Sequence, residues 1–118
     1  METYVDILVE RSRMVREWKS YIPLIVKAVR SLLPDAKVYV FGSVVRGEAV
    51  GGSDVDILIV SSKVPESNLE RARLKTELEE VLNLPLYHPF QFHLADEEES
   101  KWYFRRVKDL VDCDKILP

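Results

Sequence analysis

The chain has one cysteine, no excess of basic residues and no long apolar run. Each absence removes a class of protein. A single thiol, Cys113, cannot close an internal disulfide, and its neighbours Asp112 and Asp114 disfavour the thiolate, so it is read as structural. A net charge of −3 over 118 residues argues against a general nucleic-acid-binding face, because such binding rests on many Lys and Arg contacts to phosphate. No stretch approaches the roughly 18 apolar residues of a membrane span, so no membrane association is expected. Met1-Glu2-Thr3-Tyr4-Val5-Asp6 carries acids where a signal peptide carries basic residues, and a cytoplasmic location is the expectation. A glycine-rich P-loop, G-x-x-x-x-G-K-[S/T], is absent as well. Asn and Gln are scarce beside Glu, Lys, Arg and Val, a composition that leans toward a thermophilic source. There are no internal repeats, low-complexity tracts or linkers.

What is present is the composition of a globular protein, 47% hydrophobic and 31% charged, of a length that fits one domain over residues 1–118. Tyr4, Leu8, Val15, Trp18, Ile22, Ile25, Val29 and Leu32 recur at helical steps. Pro23 interrupts this stripe, and an interior proline predicts a break near Ser20 to Ile22. Lys37 to Phe41 reads as a strand running into a Gly42-Ser43 turn, with a brief helical turn over Val44 to Glu48. Val55 to Val60 is apolar on both faces, which predicts a central strand covered on both sides. Glu66 to Leu82 follows as an amphipathic helix presenting Leu74, Leu78 and Val81, and Leu86 to Leu94 as a third strand with Phe90, Phe92 and Leu94 on one face and Gln91 and His93 on the other. Asp96 to Glu99 has the D-x-x-E spacing of a helix cap, predicting a last helix from Glu97 to about Val111. The order of elements describes one α/β or α+β fold with a small mixed sheet flanked by helices.

The chemistry concentrates between Phe41 and Val60. Asp54 and Asp56, two residues apart at the entrance of a strand, project from one face about 7 Å apart along the backbone. Paired carboxylates at that separation are hard oxygen donors suited to Mg²⁺ or Mn²⁺, which complete their shells with substrate phosphates. Gly42 allows close backbone approach, Ser43 offers a hydroxyl and an amide to a phosphate oxygen, and the planar guanidinium of Arg46 has the reach to meet the same phosphates. Gly42, Ser43 and Arg46 are therefore the candidate nucleotide-binding residues, and Asp54 and Asp56 the candidate catalytic and metal-binding ones.

Gly42-Ser43, ten residues, then Asp54-Val55-Asp56, with Arg46-Gly47 between, resembles the signature of the minimal nucleotidyltransferases of the DNA polymerase β superfamily. The likeness is firm over Lys37 to Val60 and extends elsewhere by element order. It implies the nucleotidyltransferase fold, ATP or another nucleoside triphosphate as donor, Mg²⁺ on Asp54 and Asp56, and a third carboxylate on a later strand that activates the attacking hydroxyl. At that place the chain reads His88-Pro89-Phe90-Gln91-Phe92-His93, and Gln91 stands where the acid is expected. An amide has no basic lone pair. His93, on the same face, is the alternative proton acceptor, while a hydrogen-bonded structural role is the competing reading of both His88 and His93. Trp102, Tyr103 and Phe104 beside Arg105, Arg106 and Lys108 read as core and rim of the last helix rather than a stacking platform.

Two functions follow from the resemblance. One is transfer of AMP from ATP to a hydroxyl on a partner, in the manner of family members of this size that act as antitoxins of small helical HEPN proteins. The other is a weakly active or inactive nucleotide-binding antitoxin subunit that works by docking. Homo-oligomerisation is compatible with both.

Overall fold

Thr3 starts the first helix. Its hydroxyl accepts the Asp6 amide and the Asp6 carboxylate accepts the Thr3 amide, a reciprocal cap that opens α1, Tyr4–Arg16, in the computed structural model, which describes residues 2–118. The helix breaks at Glu17 and α2 runs Trp18–Leu32. The break thus lies a turn earlier than Ser20 to Ile22. Pro23 has no amide for the carbonyl of Lys19, four residues back, and with the restart at Trp18 it stands inside α2 rather than at the break. Val15, Trp18, Ile22, Ile25 and Val29 of the expected stripe are buried, but Tyr4 and Leu8 are not: the first two turns of α1 leave both exposed, together with Val5 and Val9.

The described residues form a mixed sheet, as expected, but of four strands rather than three. β1 (Lys37–Phe41) is antiparallel to β2 (Val55–Val60) and to β4 (Val111–Asp112), and β2 is parallel to β3 (Phe90–Ala95), giving the order β3-β2-β1-β4. The parallel pair is joined through α4, Asn68–Val81, as parallel strands require a crossover. Pleating sends Val38, Val40, Val55, Ile57, Ile59, Phe90, Phe92 and Leu94 into the larger core with α2 residues and Leu78 of α4. The other face buries Leu58, Val60 and Ala95 against Tyr39, Phe41, Leu110 and Tyr103, the last from α5 (Glu97–Arg106). β2 is thus central and covered on both sides, as its apolar run predicts.

Several boundaries differ from the sequence expectation. α4 begins at Asn68, where Ser67 caps it, and its Val81 is exposed while Leu78 carries the burial. β3 begins at Phe90 rather than Leu86, because Pro85 and Pro89 have no amide for a ladder and the intervening residues form a turn closed by the His88 amide on the Pro85 carbonyl. α5 opens on the Asp96/Glu99 capping box as predicted but ends at Arg106, not near Val111. There the chain leaves the helix to pair Val111 and Asp112 with Val40 and Tyr39, covering the edge of β1 and burying Cys113 behind it.

Candidate active site

The site is built where β1 ends beside the start of β2. Phe41 pairs with Asp56, and the next residue, Gly42, has φ 93° and ψ −162°, a region open essentially to glycine alone. A Cβ on Gly42 would lie 2.6 Å from Oδ2 of Asp56, so the backbone approaches this carboxylate closely because no side chain intervenes. The chain then enters α3, Ser43–Arg46, whose Val45 and Arg46 amides return to the Gly42 carbonyl, and leaves it through Gly47 in the left-handed conformation. Being first in the turn, the Ser43 and Val44 amides have no intrahelical acceptor.

Each aspartate is held by a nitrogen donor through one oxygen. Asp56 Oδ1 accepts from Nε2–H of His93 at 3.0 Å, across the β2/β3 pairing in which Asp56 is level with Gln91 and Leu58 with His93. The His93 ring packs against Phe41 and Tyr103, with centroids 5.3 and 6.1 Å away, and those two rings lie 6.2 Å from each other. Burial, ahead of the nearby charges of Glu99 and Asp56, pushes the Tyr103 phenol above its ordinary value. Asp54, just before β2, accepts from Nη2 of Arg11 at 2.7 Å through Oδ1. The Nη1 of Arg11 donates to the Ser53 carbonyl at 3.0 Å and the Gly51 carbonyl at 3.3 Å.

The structure therefore brings Gly42, Asp56 and His93 into contact and leaves Gln91 exposed on the same sheet face. Arg46 is directed elsewhere: its Nε donates to Glu48 and its Nη1 to Asp109, at 3.1 and 2.6 Å. His88 takes the structural role weighed for it, bonded to Glu79 at 2.5 Å and accepting the Phe90 amide on Nδ1. Arg11 is the residue that sequence reasoning passed over. Its signal was a charge standing three residues after Leu8 and four before Val15, inside an otherwise apolar helical stripe. As donors, Asp54 and Asp56 present hard oxygens that fit a divalent cation shared with phosphate, and each keeps one oxygen unclaimed by its nitrogen partner. Among the described residues, no group of three or more His, Cys, Asp and Glu stands ready to hold a metal ion by itself.

A family model and a solved structure agree with this architecture. Residues 22–113 match the family model described as nucleotidyltransferase domain, a span that contains every site residue above except Arg11. One solved structure assigned as a nucleotidyltransferase is 27% identical, covers 78% of this chain and 96% of its own, and superposes with a TM-score of 0.58. Another, from Sulfolobus solfataricus and likewise assigned, is 29% identical over 90% of this chain and 85% of its own, with a TM-score of 0.49. No curated protein matches the chain. Matched over most of its length, and with the mixed sheet and the Gly42–Asp56 junction in place, the chain belongs to the nucleotidyltransferase domain family.

Proposed function

We propose that the chain transfers a nucleotidyl group, AMP from ATP, to a hydroxyl on a protein partner, with Asp54 and Asp56 holding Mg²⁺ or Mn²⁺. The observation that carries the reading is the contact between the Gly42 backbone and Asp56 Oδ2, which puts a turn with free amides directly beside a carboxylate. A divalent ion bound there supplies charge neutralisation for the triphosphate and polarises the phosphorus under attack. The chain's own residues do the rest. The Gly42-Ser43 backbone receives phosphate oxygens, which no larger residue at position 42 would permit. Arg46, exposed and held by Glu48 and Asp109, exchanges those carboxylates for phosphate, whose oxygens fit the same planar fork. His93 keeps Asp56 oriented through Nε2–H, and that arrangement leaves the Nδ1 lone pair to take the proton of the attacking hydroxyl, work that the Gln91 amide cannot do. The acceptor follows from the resemblance: a hydroxyl of a small helical HEPN-type partner, with this chain as its antitoxin in the cytoplasm.

The experiment is transfer of label from α-labelled ATP to the partner. Wild type is expected to label it. Label no higher than that of an Asp54→Asn, Asp56→Asn double variant removes the enzyme.

A second reading has its own observation. Gln91 sits level with Asp56 on the strand where the third acid is expected, which favours a docking subunit with little or no transfer. Gln91→Glu tests that observation: if Gln91 occupies the missing acid's place, restoring the carboxylate strengthens Mg²⁺ binding or raises transfer. No change in either would mean that the acid lies elsewhere.

A further inference from the structure

We propose that Arg11 is a positioning residue for Asp54, supplied by a helix that lies outside the family-matched residues 22–113. The inference rests on the reading of Asp54 as a metal ligand. It deepens that reading by naming what holds the ligand in place.

Asp54 needs such a hold. It stands before the first residue of β2, half exposed, at the end of a segment from Glu48 that contains Gly51 and Gly52 and belongs to no helix or strand. Two glycines raise the conformational freedom that must be removed before Asp54 can present its carboxylate in one direction. Within the segment, Val50 and Ser53 bond to each other, the Val50 amide to Ser53 Oγ and the Ser53 amide to the Val50 carbonyl, both at 2.9 Å. Those bonds shape the turn without tying it to the body of the protein. Arg11 ties it. Its guanidinium spans Gly51, Ser53 and Asp54, and Gly51 also lies against Ser12 of the same helix, where an added Cβ would come within 3.1 Å of Oγ. Because Nη2 takes only Oδ1, the second oxygen of Asp54 remains available, just as His93 leaves Oδ2 of Asp56 available. A planar fork with several fixed donors can hold three oxygens at once, which a lysine ammonium at the end of a flexible stem cannot do with the same geometry.

Stability does not explain the pair. The Asp54 side chain is 50% exposed, and ion pairs so open to water contribute little to folding. Charge alone does not explain it either. A cation beside a metal ligand repels the metal, so a merely electrostatic Arg11 would weaken divalent binding and its removal would tighten it. Positioning has the opposite sign, as partners that orient metal ligands do when they are removed.

That difference in sign is the test. Mn²⁺ binding is titrated by electron paramagnetic resonance on the full chain as wild type, Arg11→Ala, Arg11→Lys and Asp54→Asn, with folding checked by circular dichroism. Amide exchange of the Gly51–Asp54 segment is followed alongside. We expect Arg11→Ala to weaken Mn²⁺ binding roughly tenfold and to speed exchange in the segment. Arg11→Lys, which keeps the charge but not the three-point hold, is expected to weaken binding as well, and it carries the test if the alanine variant does not fold. Unchanged or tighter Mn²⁺ binding in the folded Arg11 variants, with Asp54→Asn weakened, overturns the positioning role while sparing the ligand. Unweakened binding in Asp54→Asn overturns the ligand reading itself.

Discussion

Alanine in place of Gly42 is the sharpest perturbation of the site, because two separable costs meet there. The first is conformational. At φ 93° and ψ −162° an L side chain is strained, at a cost of about 1–3 kcal/mol. The second is steric: the new Cβ, 2.6 Å from Asp56 Oδ2, forces the carboxylate to turn, and turning it breaks the 3.0 Å bond to His93. Both partners of that bond are partly exposed, so its loss adds only about 0–1 kcal/mol. The sum is about 1–4 kcal/mol, and at about 4 °C per kcal/mol for a chain of this size the melting temperature should fall by about 4–16 °C. Gly47→Ala is the internal control. Gly47 has φ 72° and nothing within 4 Å of a built Cβ, so it bears only the left-handed cost of about 1 kcal/mol, or about 4 °C. Thermal melts of both variants, together with the His93 ring resonances by NMR, read the two costs separately. In a Gly42→Ala, Asp56→Ala double variant the steric part should disappear, leaving the conformational part. A Gly42→Ala melt no lower than that of Gly47→Ala, with the His93 resonances unmoved, would refute the claim that the turn and the carboxylate are built around each other.

Two further outcomes are expected. Hydrogen bonds from Ser61 and Ser62 hold Asp35 down to about 2, and the Arg71 guanidinium, assisted by the Asp96 amide, does the same for Glu99. Both folded values lie below the ordinary carboxyl range near 4, so the stability they contribute is complete above that range and lost as pH falls toward 2. Melting temperature followed against pH should therefore drop through this window in wild type and less steeply in Asp35→Asn or Glu99→Gln. Curves that stay parallel would show that these carboxylates do not drive the acid limb. Burial, followed by the charges of Asp112 and Asp114, pushes the Cys113 thiol up to about 12. Ellman's reagent at pH 8 should find no reactive thiol in the native protein and one in denaturant; rapid native labelling would contradict the burial.

How much of this was legible in the letters depended on how far apart the cooperating residues lie in the chain. The sequence by itself determined the Gly42-Ser43 turn and the Asp54/Asp56 pair, the alternation that puts Gln91 and His93 on the face opposite Phe90 and Phe92, the Asp96 cap and the central place of β2. These rest on covalent spacing, on the period of two along a strand and on hydrogen bonds between residues three apart, all of which act over a few residues. Only the tertiary structure decided that His93 hydrogen-bonds to Asp56, that Arg46 turns to Asp109, that Val111 and Asp112 leave a helical pattern to cover β1, and that Arg11 crosses to Asp54 forty-three residues away. Such contacts depend on which surfaces the packed helices and sheet bring within a few ångströms of one another. A two-residue strand or a single inward-facing arginine carries no periodicity of its own from which that meeting could be read.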